Sequence, residues 1–192
     1  MNFGFSPKSF YNLTNEHIII YLTVHNNIVL YKLGKVLNNK KIKNVYFVSC
    51  DGSLKPCHTN REGAQSICEQ CKFTRDTGLD NFNSKKLKKI QLPKNKEIGL
   101  SNYTYRNIQD IKQIEYRGVK IGYGALSSYI TYTRNLEPKV DEKFKTYFDT
   151  ILSNQIMVTD FLLNIFKKYK IEKSYFFNVS HILYKTSLQS MY

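Results

Sequence analysis

Long apolar runs are missing from this chain. The longest, such as HIIIYL at 17–22, are far too short to cross a bilayer, so a soluble or peripheral protein is expected. Nothing at the N-terminus, MNFGFSPKSFYNL, joins a charged start to an apolar stretch, so a secretory leader is not expected. The expected compartment is the reducing cytoplasm, including the inner face of the membrane. Arginine is scarce: there are 5 arginines against 24 lysines. Arginine makes the bidentate contacts to phosphate and guanine, so a net charge of +14 carried by lysine argues only weakly for nucleic acid. Lys, Asn, Ile and Tyr abound together, as an AT-rich genome produces without selection for a ligand. The lysines are spread out, with KKLKK at 85–89 the densest group. Nucleic acid is therefore disfavoured as a partner, whereas an anionic membrane surface or a phosphorylated ligand stays open. No P-loop, G-x-G-x-x-G or Ser/His/Asp order is present, which gives no support to nucleotide-fold or hydrolase readings.

Cysteine is absent from all but one 22-residue stretch, CDGSLKPCHTNREGAQSICEQC, which holds Cys50, Cys57, Cys68 and Cys71. Packing cysteines would be scattered, so the clustering points to local joint use of the sulfurs. The spacing is C-x6-C-x10-C-x2-C, and only the last pair has the tight spacing with which two thiolates grip one metal. Four thiolates match a closed tetrahedral zinc site, and structural zinc is the first expectation. Three others stay open. Reduced packing cysteines are one. Disulfides or a redox-active Cys68–Cys71 pair are another, disfavoured by the compartment and by the polar loop before the pair. An iron–sulfur cluster fits the ligand number but not the usual spacing. His58, beside Cys57, could replace a ligand or simply lie in an exposed loop.

What remains is an ordinary globular composition. Hydrophobic residues make up 42% and aromatics 14%, and 192 residues suffice for one domain, at most one and a half. Residues 17–23 are a β-branched run that reads as a buried strand. Val29, Leu33, Val36 and Leu37 within 24–39 define one helix face, and NVYFVS at 44–49 is a second strand. This βαβ pattern predicts parallel strands with a right-handed crossover. The cysteine segment then leaves from the C-terminal end of the second strand, the edge where open α/β sheets bind ligands. Residues 50–80 are read as a cysteine-rich loop and 80–100 as a polar loop. A short helix is expected over 105–114, a strand-like VKI near 119–121, and a helix over 125–133. From Asp141 an apolar stripe of nearly thirty residues predicts the longest helix, covering one sheet face. SYFFNV at 174–179 is a further strand. The expected fold class is α/β: a doubly wound, mostly parallel sheet over 1–192 that is incomplete, with few strands for a free-standing domain.

Several segments resemble the N-terminal domain of GT-B-type bacterial glycosyltransferases and capsule or surface-polysaccharide biosynthesis proteins. They are CDGSLKPC (50–57), Asn60, ICEQC (67–71) and TRDTGL (74–79); the turn and following residues YRGVKIGYGALSSYITYTRN (116–135); and FFNVSH (176–181). In the last, Val179 and Ser180 stand where that family has Gly and Arg. The resemblance implies a Rossmann-like acceptor-side domain that binds a glycan or lipid-linked acceptor. It also implies that the nucleotide-sugar donor is held by a C-terminal domain or a separate subunit. That half is missing here, so the chain is expected to be truncated and inactive alone. Glycosyl transfer needs a base for the acceptor hydroxyl. His25, where the first helix begins, and Asp51, just past the second strand, are the catalytic candidates; each has an alternative, a capping or packing histidine and an Asp-Gly turn. Arg117, Arg134 and Asn178 are the acceptor-binding candidates. The contrasting expectation is a small zinc-stabilised module that binds nucleic acid or protein.

Overall fold

The computed structural model describes residues 16–21, 27–94 and 98–176. Among them, four strands form one sheet: β1 (Glu16–Tyr21), β2 (Asn44–Ser49), β3 (Leu87–Gln91) and β4 (Lys173–Phe176), in the order β3-β2-β1-β4. Every neighbouring pair is parallel. The chain is therefore of the α/β class.

The two central strands are apolar on both faces, as strands covered twice must be. Ile19, Val45 and Phe47 face one side, where they pack with Val29, Leu33, Val36 and Leu37 of helix α1 (Asn27–Asn38) and Leu79 of helix α2 (Gln65–Asp80). Ile18, Ile20, Tyr46 and Val48 face the other side and meet Met157, Val158, Leu162 and Ile165 of helix α5 (Glu142–Lys168). At the start of β1 a carboxylate ties the strands together. Glu16 accepts from Asn44 Nδ2 at 3.1 Å and from the Tyr46 hydroxyl at 3.2 Å. Burial and the adjacent carboxylate push the Tyr46 hydroxyl up to about 12.

Helix α5 has 27 residues, roughly 40 Å at the usual helical rise, about twice the length of a six-residue strand. It leads into β4, which is parallel to the rest, so it runs back from the C-terminal edge of the sheet. Its second half covers the sheet, as expected. Its first half overhangs that edge and packs against two helices, α3 (Ile108–Lys112) and α4 (Ile121–Thr133). Asp141 begins α5 by accepting from Phe144 N at 2.8 Å, and Asn107 caps α3 in the same way. Phe148, fully buried, lies stacked on Phe144 and edge-on to Tyr105, with centroids 5.1 and 5.3 Å away. Gly122 makes this layer possible: a Cβ there would strike the carbonyl of Ile111.

Three expectations are corrected. Residues 65–80 of the supposed cysteine loop are helix α2. Within the supposed polar loop 80–100, residues 87–91 form β3. Its sequence LKKIQ hides the strand because an edge strand needs only one paired side; Lys88 and Lys89 stay exposed and guard the edge. The VKI segment is not a strand: Tyr116 and Val119 form an isolated bridge, and Ile121 already begins α4. Among the described residues no helix is long and apolar enough to cross a membrane.

Candidate functional site

The site is built where β2 ends. Cys50 follows the last strand residue, and Asp51-Gly52 turns the chain over the first turns of α2. Gly52 has φ +99°, a region that favours glycine, and it lies over the helix, where a Cβ would make ordinary contacts with Cys68 Cβ at 3.6 Å and Lys72 Cε at 3.5 Å. The sulfur of Cys50 accepts from the backbone N–H of Gly52 at 3.3 Å and of Leu54 at 3.4 Å. Leu54 is buried under the loop and anchors it in the α5-side core.

Asn60 holds the far end of this loop. Its backbone exchanges two hydrogen bonds with Cys57, at 3.0 and 3.2 Å. Its side chain, 1% exposed, accepts from Ala64 N at 2.8 Å and donates to Ala64 O at 2.6 Å and to Cys68 Sγ at 3.1 Å. Ala64 is the N-cap of α2 and offers no side-chain cap of its own, so Asn60 supplies that anchorage from four residues back. A second clamp comes from α2 itself. Arg75, buried, donates to the carbonyl of Cys50 and pairs with Asp76 at 2.8 Å. The hydrogen bond from Arg75 holds the Asp76 carboxyl below the usual carboxylate range.

All four cysteines line one small cavity of about 20 Å³, together with Gly52, Leu54, Thr59, Asn60, Ile67 and Lys72. That is room for about one water molecule or ion. Cys68 and Cys71 lie three residues apart on one face of α2, and Cys50 and Cys57 come from the loop. None of the four is in a disulfide. Among the described residues, no three His, Cys, Asp or Glu side chains form a preassembled metal-binding group. Burial pushes the Cys57 thiol up.

The helical layer roofs this loop from the opposite side. Asn154 Nδ2 donates to Pro56 O at 3.4 Å, and the Tyr147 hydroxyl donates to Arg61 O at 3.1 Å. The Tyr132 hydroxyl of α4 is pushed up to about 12, first by burial and then by the Cys57 sulfur. The cysteine segment is thus enclosed between the sheet edge, α2 and the α4–α5 layer.

The other candidates fall elsewhere. Asp51 is half-buried at the sheet edge but does not line the cavity, and His58 is exposed and does not line it either. Arg117 has φ +51° in the turn before α4 and pairs with Asp160 of α5 at 2.8 Å, beside Tyr116, which donates to the same carboxylate at 2.7 Å. Arg134, exposed, ends α4 in the left-handed region with φ +60°. Neither arginine lines the cysteine cavity. His25 and Asn178 lie outside the described residues. The sequence reading assigned no role to Arg75, Lys72 or Asn154; the signal for the first two was their register with Cys68 and Cys71 on one helix face. Compared with known proteins, this chain matches no family model, no curated protein and no solved structure.

Proposed function

We propose that this chain is the acceptor-side, Rossmann-like doubly wound domain of a glycosyltransferase that acts in bacterial capsule or surface-polysaccharide synthesis. One observation carries this reading. Two segments that resemble such enzymes, 50–57 and 116–135, are far apart in sequence, yet the first leaves the C-terminal edge of a parallel sheet and its Cys57 sulfur acts electrostatically on Tyr132 of the second. Open α/β sheets bind their ligands at that edge. The order β3-β2-β1-β4 changes winding direction at β1, and Asp51 follows β2, the strand paired with β1 at that edge.

In this reading Asp51 takes the proton of an acceptor hydroxyl as that oxygen attacks the anomeric carbon of a sugar. The leaving nucleotide diphosphate is held by a second domain or subunit. The lysine-rich surface favours an acceptor that carries phosphate or sits on an anionic membrane.

The test is ligand-detected NMR on the full chain with three sets of compounds: free oligosaccharides, polyprenyl-phosphate-linked saccharides and nucleotide-sugars. Saccharide acceptors are expected to give saturation transfer, strongest for the phosphate-linked set, and nucleotide-sugars little. Absence of any saccharide signal, together with nucleic-acid retention that falls steeply with salt, would replace this reading with a nucleic-acid-binding module.

A further inference from the structure

We propose that the cavity between the 50–60 loop and the first turns of α2 is a structural metal site for a thiophilic divalent ion of the zinc type. Its ligands are the thiolates of Cys50, Cys57, Cys68 and Cys71. The four sulfurs come from two segments that the fold presses together, and they share the wall of one space of about 20 Å³, the size of a single ion or water. No carboxylate or imidazole shares that wall, so the donors are soft throughout and select zinc over magnesium or calcium. A set of four protein ligands leaves no open position, which makes the site structural rather than catalytic.

The surroundings of two of the sulfurs, Cys50 and Cys68, already suit a thiolate. Sulfur is a weak acceptor as a neutral thiol, yet three N–H groups already point at these sulfurs: Gly52 and Leu54 at Cys50, and Asn60 at Cys68. Such donors are the outer shell that orients metal ligands and spreads their charge. Lys72 lines the cavity and offsets part of the net negative charge of a four-thiolate centre. Asn60 and Arg75 hold the two segments in register before any ion arrives. The sulfurs do not form a preassembled set, so binding draws the loop and helix together. Each of the four thiols releases its proton to solvent as its sulfur bonds the ion at about 2.3 Å. The ion then joins the end of β2 to α2 and fixes the floor beneath the α4–α5 layer. This site stands or falls independently of whether the chain binds a glycan.

The experiment uses the full chain, kept reduced and incubated with one equivalent of Zn²⁺. One zinc per chain is expected by native mass spectrometry, with all four cysteines protected from alkylation until a chelator is added. Titration with Co²⁺ in place of Zn²⁺ should produce a near-ultraviolet sulfur-to-cobalt charge-transfer band and intense visible bands of a tetrahedral centre. Cys68→Ser and Cys71→Ser should each lower metal affinity at least tenfold, about 1.4 kcal/mol or more. The proposal is overturned if the wild-type thiols alkylate at the same rate with and without Zn²⁺, or if Co²⁺ gives no sulfur charge-transfer band. Both readings use the wild-type chain, so they do not depend on whether the variants fold.

Discussion

Asn60 is the residue whose loss should most clearly expose how the cysteine loop is held. Its carboxamide, 1% exposed, makes three hydrogen bonds: from Ala64 N at 2.8 Å, to Ala64 O at 2.6 Å and to Cys68 Sγ at 3.1 Å. In Asn60→Ala all three vanish. The two to Ala64 contribute about 1 kcal/mol each, the bond to sulfur somewhat less, and the groups left without partners add a desolvation cost, for a total of about 2–4 kcal/mol. In a chain of this size that is a fall in Tm of roughly 4–16 °C. Asn60→Asp is the sharper control. It keeps the volume and the bond from Ala64 N, but turns an acceptor toward the Ala64 carbonyl and the Cys68 sulfur. It should cost at least as much as the alanine variant at neutral pH, although it changes almost no shape. The assay is urea unfolding followed by circular dichroism, with chelator present so that metal does not contribute. A loss below about 0.5 kcal/mol for Asn60→Ala, or an Asp variant more stable than the Ala variant, would refute the account of Asn60 as the clamp.

Two further predictions rest on other parts of the fold. The same substitution should act in opposite directions at two helical glycines. Gly122→Ala drives a Cβ into the Ile111 carbonyl, with Ile114 Cβ at 2.8 Å, and should cost about 2–3 kcal/mol even after the gain in helix propensity. Gly34→Ala meets only the partly buried Phe82 ring at 3.2 Å, which can tilt away, and should be neutral or stabilising by up to about 1 kcal/mol; parallel thermal melts compare the two. Buried His17 has its pKa lowered, first by desolvation and also by Lys173, against an opposing pull from Glu172. A lowered folded pKa means that the unfolded chain binds the proton first. The contribution of His17 is therefore complete above the unfolded value of about 6.5 and is lost as pH falls toward the lower folded value. Unfolding free energy measured across that window should fall more steeply for the wild type than for His17→Gln; parallel pH profiles would contradict this.

The elements legible in the sequence share one property: apolar side chains at the period of the element. The runs at 17–22 and 44–49, the stripe from Val29 to Leu37 and the long stripe after Asp141 became β1, β2, α1 and α5. Helix α2 was hidden although its period is regular. Its inward positions are Cys68, Cys71, Lys72, Arg75, Gly78 and Leu79, a helical stripe with one leucine and otherwise sulfur, charge and glycine. Most of that face looks onto a hydrogen-bonded loop, and only Leu79 near its end joins the apolar sheet core, so hydrophobicity could not reveal it. Strand β3 was hidden for the related reason that pairing with β2, not burial, makes it a strand.

By itself the sequence determined that four sulfurs lie in one neighbourhood, that they follow the second strand of a parallel unit, and that a long helix covers the sheet. Those features follow from chain proximity and from local periodicity, which need no tertiary contacts to be read. Only the tertiary structure decided that the sulfurs face a single cavity, with two on a helix face and two on the loop above it. It also decided that Asn60 and Arg75 join those parts, and that the front half of α5 overhangs the edge and roofs them with α4. These depend on where separate elements cross, and crossing is set by close approaches such as Gly78 against Leu30 and Gly122 against Ile111, contacts between residues about 48 and 11 positions apart that no local pattern encodes.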